Sequence, residues 1–315
     1  MSFSHKVKDE LAGVISGARH CRLAEIAALV SMAGNIIAGH RGRLLIRIST
    51  ENKIVVSKCL ELIRKVFSYT PECGVKCNME SKTMTYIMMV SDKEVAEKIL
   101  LATKLMDTDG SINRDFALTS TMGISSQCCK RAYLRGAFLA GGSISDPEKS
   151  YHLEIVSSGR DKAAQIADTM KAYELDARIV ERRNSYVVYL KEGAQIVDML
   201  NVMEARISLM DLENMRVIKE VRNSVNRKFN CEMANLSKTV NAAVKQIEDI
   251  EYIRDKVGLD YLDDNLEEIA NLRLQYSEMS LKDLGEMLTV PVGKSGVNHR
   301  LRKISQIAEE LRKKN

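Results

Sequence analysis

Two hydrophobic rhythms alternate along the chain. Arg43–Thr50 (RLLIRIST) and Tyr151–Ser158 (YHLEIVSS) set apolar against polar residues one by one, the period-two signature of a half-buried strand. Asn52–Phe67 and Lys162–Tyr173 carry apolar residues at helical spacing instead. The rhythms come in the same order twice. An offset of 108 lays Cys21–Ile36 on Cys129–Ile144, matching Cys21 with Cys129, Ala24 with Ala132, Gly34 with Gly142 and Ile36 with Ile144. It also lays RLLIRIST on YHLEIVSS. Two strand-like segments follow in each copy: GVKCNM and TYIMMV around Glu80-Ser81-Lys82, then ARIVER and YVVYL around Asn184. Closing helices are expected over Lys93–Leu105 and Ala194–Ala205.

One unit therefore reads helix, hairpin, helix, hairpin, helix. The copies fall at about 20–106 and 128–206, inside a first domain of 1–206. The opening helices are crowded with small residues: Ala24, Ala27, Ala28, Ala33 and Gly34 in one, Gly136, Ala137, Ala140, Gly141 and Gly142 in the other. Small side chains let two helix backbones approach closely. This predicts helix-on-helix packing about a pseudo-two-fold axis, with the strands joined into one curved sheet. The fold class is α+β, a duplicated α-ββ-α-ββ-α domain of curved antiparallel sheets followed by an all-α domain.

The C-terminal segment has a different rhythm. Ser280 is placed to cap LKDLGEML, with Asp283 three residues on as a partial capping box. Leu281, Leu284 and Leu288 give that helix one apolar face. Pro291 and Gly293 break it, and Ser295 is placed to cap a second helix whose stripe is Val297, Leu301, Ile304 and Ile307–Ala308. Helix, short turn and basic second helix is the pattern of a helix-turn-helix, which reads DNA with the start of its second helix. Candidate contacts are Ser280, Leu281, Lys282, Asp283 and Gly285 around the first helix, and Lys294, Ser295, Gly296, Val297, Asn298, His299, Arg300, Arg302 and Lys303 on the second. Asn298 suits adenine, and Arg300 or Arg302 guanine; Lys294 and Lys303 suit phosphates. This domain is expected over 251–315, behind a helical linker over 207–250.

Charge sharpens that picture. Residues 213–245 carry seven Lys/Arg against three Glu, 248–268 two basic against nine acidic, and 281–315 eight basic against four acidic. The two basic flanks are expected to face DNA and the acidic middle to face away. Secondary DNA contacts are then expected from Arg216, Lys219, Arg222, Asn226 and Arg227. No apolar run reaches the roughly 20 residues of a membrane helix, and MSFSHKVKDELAG lacks the apolar core of a signal peptide. It reads as a short helix with Ser4 as cap. A cytoplasmic, nucleoid-associated protein is expected. The seven cysteines fit a reducing compartment. The pairs Cys73/Cys77 and Cys128/Cys129 and the scattered His5, His20, His40, His152 and His299 give no ligand spacing, so neither metal nor cofactor is expected.

The unit order, with IAALVSMAG (Ile26–Gly34) and LRGAFLAGG (Leu134–Gly142), resembles the LAGLIDADG homing endonucleases. The resemblance implies that the two helices form the domain interface and the sheets a saddle over DNA. It also implies a metal-binding acid just before the last Gly of each motif; Ala33 and Gly141 stand there. Neither can hold a cation for two-metal phosphodiester cleavage. Asp146 has Ala38 opposite it at the same offset, so no symmetric acidic pair remains. With the start MSFSHKVKDEL, the stretch NRKFNCEMAN (Asn226–Asn235) and the ending SLKDLGEML…KSGVNHRLRKI, the whole chain resembles the bacterial WhiA proteins. That resemblance implies a DNA-binding regulator tied to sporulation in actinobacteria and to cell division or chromosome segregation in Firmicutes. The expected partner is double-stranded DNA, with other transcription factors or RNA polymerase components as further partners, and no membrane or small-molecule substrate. An active endonuclease, or a scaffold whose saddle binds protein, are the competing readings.

Overall fold

The computed structural model describes residues 2–39, 43–79, 83–112, 117–118 and 124–313. It divides into two compact units, Met1–Lys219 and Glu220–Asn315.

The first unit opens with helix α1 (Phe3–Gly13), which buries Phe3, Val7 and Leu11. Its cap is Ser2, whose Oγ accepts from the His5 N–H at 3.3 Å. The expected cap, Ser4, lies inside the helix, and its hydroxyl accepts from the Ile144 N–H. A residue with helical backbone angles cannot also supply the extended turn that a cap needs.

The two copies follow. The first is α2 (Arg19–Ala33), β1 (Gly34–Gly39), β2 (Arg43–Thr50), α3 (Lys53–Phe67), β3 (Glu72–Cys77), β4 (Met84–Val90) and α4 (Lys93–Ala102). The second is α5 (Gln127–Gly141), β5 (Gly142–Ile144), β6 (Leu153–Ser157), α6 (Arg160–Lys171), β7 (Arg178–Arg182), β8 (Ser185–Leu190) and α7 (Gly193–Met203). The turn at Glu80-Ser81-Lys82 lies outside the described residues. Helices α2 and α5 pack on each other along their length. A Cβ on Gly136 would lie 2.7 Å from the Glu25 carbonyl and 2.9 Å from the Ala28 Cβ, so the small residues are what permits this approach.

The strands do not join into one sheet. They form two four-stranded antiparallel sheets of equivalent order, β1-β2-β4-β3 and β5-β6-β8-β7. Each is closed onto its own copy's helices, and the helix pair α2/α5 supplies the continuity between copies. The strand register also corrects the repeat. Gly34 stands opposite Ile48 in the first sheet, and its counterpart Gly142 opposite Ile155 in the second. Over β6 the offset is therefore 107. An offset of 108 would match buried Ile48 with Val156, which is 38% exposed, and buried Ile46 with Glu154. One residue lost between β5 and β6 turns every side chain of a strand to the other face, so period-two packing identifies it. The inward residues are Ile46, Ile48, Met88 and Val90, and Leu153, Ile155, Val188 and Leu190.

The core of this unit also holds charge. Glu25 (α2), Lys58 (α3) and Arg135 (α5) are buried. Arg135 spends all five of its N–H donors: Nε and Nη2 on the two oxygens of Glu25 (3.2 and 3.1 Å), Nη1 on Glu204 Oε2 (2.6 Å) and the Met203 carbonyl, and Nη2 again on Ser16 Oγ (2.9 Å). Lys58 Nζ lies 3.3 Å from Glu25 and donates to the carbonyls of Leu11, Ala12 and Val14 at the C-terminal end of α1. Burial holds the Lys58 pKa below its ordinary value, with the Glu25 carboxylate acting the other way. The cluster joins α1, α2, α3, α5 and the end of α7. It also breaks the repeat, since the counterparts of Glu25 and Arg135 are Tyr133 and Ala27.

Helix α8 runs without interruption over Arg206–Val257, starting at the expected boundary at 206 and continuing past the one at 250. In the second unit it is followed by a 3₁₀ turn (Leu259–Tyr261), α9 (Asp264–Gln275), α10 (Leu281–Glu286) and α11 (Lys294–Lys313). Ile250 and Ile253 of α8 close a separate core with Leu262, Leu266, Ile269, Leu284, Leu288, Val297, Leu301, Ile304 and Ala308.

Candidate nucleic-acid interface

Helices α9, α10 and α11 pack on one another as three short helices around that second core. Ser280 caps α10: its Oγ accepts from the Asp283 N–H (3.3 Å) and donates to Asp283 Oδ2 (2.8 Å). Both candidates are thus engaged in starting the helix. Arg273, buried at the end of α9, donates to the Met279 carbonyl at 2.7 Å and pins the preceding loop.

The turn between α10 and α11 is held from two sides. The Val292 N–H donates to the Gly285 carbonyl at 3.1 Å. A Cβ on Gly285 would lie 2.2 Å from the Val292 carbonyl oxygen, so only glycine fits. Glu268 Oε1 accepts from the Thr289 N–H at 2.6 Å, and this hydrogen bond holds the Glu268 carboxyl below its ordinary pKa. Gly285 and Val297, both candidate contacts, are buried; they build the frame and offer no side chain to a partner.

Ser295 does not cap α11. The N–H groups of Gly296 and Val297 both donate to the Gly293 carbonyl, so the helix starts at Lys294 with Gly293 as its cap. Glycine offers no side chain to satisfy the first-turn N–H groups. The start of α11 therefore presents unsatisfied donors and the positive end of the helix dipole, the ordinary means of holding a phosphate. Buried Val297, Leu301, Ile304 and Ala308 fix the inner face. Ser295, His299, Arg302 and Gln306, at i, i+4, i+7 and i+11, then form the opposite, exposed face. Gln306 escaped sequence reasoning because the basic cluster ends at Lys303.

The structure sorts the basic residues that sequence alone had grouped. Lys294, His299 and Arg302 are exposed, with Asn298 half-buried at the flank. Arg300 Nη1 reaches the Asn265 carbonyl at 3.5 Å, and Lys303 Nζ pairs with Asp263 at 3.1 Å. Arg312 pairs with buried Asp249 at 2.7 Å. Part of the acidic stretch 248–268 is thus the counter-charge of α11. Around α10, Leu281 is half-buried, and Lys282 pairs with Glu286 at 3.8 Å. On α8, Arg216 pairs with Glu213 (2.9 Å) and Lys219 lies over the Tyr151 ring (5.0 Å). Arg222, Asn226 and Arg227 are exposed, Arg227 donating to the Asn223 carbonyl.

In the first unit, Ala33 and Gly141 end α2 and α5. A Cβ on Gly141 would sit 2.4 Å from the Val156 carbonyl oxygen, leaving no room for any larger residue. Near the same end of α2, buried Lys162 donates from Nζ to the Ser31 carbonyl at 2.7 Å. Asp146 sits in the following turn, where its Oδ1 accepts from the Glu148 N–H. At the opposite ends of these helices the expectation of scattered ligands is overturned. His20, Cys21, Cys128 and Cys129 come together, with their ligand atoms all within 4.8 Å of one another. Cys21 and Cys129 stood matched in the repeat, and helix pairing is what closes the gap.

Sequence models of three domains match the chain: a WhiA N-terminal LAGLIDADG-like domain over 19–106, a WhiA LAGLIDADG-like domain over 130–222, and a WhiA C-terminal HTH domain over 225–308. The probable cell division protein WhiA of Lachnoclostridium phytofermentans is 48% identical over 313 residues, covering 99% of this chain and all of that protein. The chain belongs to the WhiA family. The probable cell division protein WhiA of Alkaliphilus oremlandii is likewise 48% identical, over 99% of this chain and 98% of its own. Among solved structures, the crystal structure of full-length DUF199/WhiA from Thermatoga maritima matches with a TM-score of 0.60 and 25% identity, over 98% of this chain and 99% of that one. The WhiA matches span both units, so the paired LAGLIDADG-like repeats and the helix-turn-helix belong to one family architecture. No described helix is long and apolar enough to cross a membrane.

Proposed function

We propose that this WhiA-family chain is a non-enzymatic, sequence-specific binder of double-stranded DNA that regulates genes of cell division, chromosome segregation or sporulation. It acts at the nucleoid, with α11 as its reading helix. The observation that carries this reading is the outward face of α11, where Ser295, His299, Arg302 and Gln306 stand exposed behind a glycine-capped helix start. Arg302 has the reach and planar donors for guanine, and Asn298 at the flank suits adenine. Lys294 and the first-turn N–H groups suit phosphates. Arg300 and Lys303, tied to α9, orient the reading helix. Arg222, Asn226 and Arg227 add contacts to the DNA backbone. The division into a repeat domain, a helical linker and a reading domain follows the same reading.

The absence of nuclease chemistry is argued from the helix ends. Ala33 and Gly141 offer no carboxylate, and the ammonium of Lys162 already serves the Ser31 carbonyl of α2 near the place where a divalent ion would compete. Selection of duplexes from a random library by the full-length chain tests the binding. Enrichment of one motif, bound at least tenfold tighter than scrambled duplex at physiological salt, is expected; enrichment of none would remove sequence specificity. Incubation with supercoiled plasmid and Mg²⁺ tests the chemistry, and nicking above background that scales with protein would overturn the non-enzymatic reading.

A further inference from the structure

Each repeat contributes a vicinal pair of ligand-type residues to one place. His20 and Cys21 are the second and third residues of α2, and Cys128 and Cys129 are the second and third residues of α5. At the offset of 108 His20 matches Cys128 and Cys21 matches Cys129, so the pseudo-two-fold packing of α2 on α5 brings the pairs face to face. His20 Nδ1 lies 3.4 Å from Cys21 Sγ, 3.1 Å from Cys129 Sγ and 4.0 Å from Cys128 Sγ. A zinc ion with bonds of about 2.3 Å to sulfur and about 2.0 Å to nitrogen sets its ligand atoms roughly 3.5–3.8 Å apart. The four ligand atoms all lie within 4.8 Å of one another, so the widest separation closes by only about 1 Å to reach that.

We infer that His20, Cys21, Cys128 and Cys129 form a structural zinc site that clamps the N-terminal ends of the two central helices. Three sulfurs and one imidazole nitrogen are a closed tetrahedral set, selective for zinc over harder cations and without an open position for substrate. Its surroundings suit bound thiolates. Neither α2 nor α5 has a side-chain cap, so first-turn N–H groups and two positive dipole ends converge there. Ser126 Oγ lies 3.3 Å from Cys128 Sγ, a hydrogen bond that orients a ligand from outside the tetrad. Cys21 and Cys129 are buried while His20 and Cys128 are exposed, which leaves an entry path beside a cavity of about 290 Å³ that Cys21 and Cys128 help to line. The site lies at the far ends of the helices from Ala33 and Gly141, so it holds the two repeats together and takes no part in phosphodiester chemistry.

The test uses the full-length chain purified under reducing conditions from zinc-supplemented medium, with elemental analysis after gel filtration. One zinc per chain is expected, lost in both Cys128→Ser and His20→Asn, whose side chains are exposed and whose loss leaves the core intact. Cobalt substitution should give the intense visible bands of a tetrahedral thiolate site. A strong chelator should lower the melting temperature of the wild type and leave that of Cys128→Ser unchanged. Substoichiometric zinc, full zinc retention in the two variants, a weak octahedral cobalt spectrum, or a disulfide within the cluster by peptide mass mapping would each overturn the assignment. The cobalt spectrum is read on the unmutated chain, so misfolding of a variant does not shield the proposal.

Discussion

The two units arrange charge differently. In the first, Glu25, Lys58 and Arg135 lie in the centre of the core, where each depends on the others and on backbone carbonyls. In the second, the core cluster is apolar, Asp249 and Arg273 are buried singly with one partner each, and other charges lie on helix faces, with Lys303–Asp263 and Lys282–Glu286 at the surface. A duplicated fold whose paired helices meet at an apolar seam gains asymmetry when one copy places an acid there and the other a base. The buried cluster specifies which helix ends meet which, and removing one member strands the rest. The second unit can exchange surface charges at little cost, and this freedom suits a surface that must read a partner.

The largest expected contrast separates the units altogether. Overlapping fragments 1–219 and 207–315 each keep their share of α8. Fluorescence anisotropy with the selected duplex should show sequence-preferring binding by 207–315 and weak, sequence-blind binding by 1–219. Specific affinity residing in 1–219 would move the reading head to the sheets.

Next in size is the buried cluster. Glu25→Gln leaves the Arg135 and Lys58 charges uncompensated in the core and is expected to cost about 3–5 kcal/mol of first-unit stability. Lys282→Ala, which breaks an exposed pair, should cost about 0–1 kcal/mol. Chemical denaturation of the two variants side by side checks this, and equal losses would collapse the distinction between the units.

Within the reading helix, Arg302→Ala should lose roughly 1–3 kcal/mol of binding and relax preference at one base pair. Lys303→Ala should lose less, because Asp263 already holds that ammonium, and its loss should be the same on all sequences. A larger, base-specific effect at Lys303 would show that the Asp263 pair opens on DNA. The smallest effect is a pH dependence. The Glu268 carboxyl, held below its ordinary pKa by the Thr289 N–H, ties the turn to α9. A depressed carboxylate stabilises the folded state above its unfolded pKa, and that contribution fades as pH falls through its folded value. Glu268→Gln should therefore slightly lower second-unit stability at neutral pH, flatten the acid limb below the ordinary glutamate range, and converge with the wild type at low pH, as read by denaturation across pH.

The sequence by itself determined the repeat, its element order and the helix-turn-helix, because each rests on local periodicity and on residues with fixed backbone consequences. Gly34 and Gly142 cap the ends of their helices and Ser280 with Asp283 starts one, while α10 ends at Glu286, ahead of the break expected from Pro291 and Gly293. The element pattern also carried the family resemblance, which the domain matches made firm. Tertiary structure decided everything that depends on which face meets which. The 107 register of β6 needed the partner strand, since a single residue reverses the faces. The frame role of Gly285 needed the Val292 carbonyl beside it, and the sorting of Arg302 from Arg300 and Lys303 needed α9 in place. Glu25 with Arg135, and His20 and Cys21 with Cys128 and Cys129, are separated by more than a hundred residues of chain. No local pattern joins such residues, and only the packing of α2 on α5 supplies the short distances on which ion pairing and metal ligation depend.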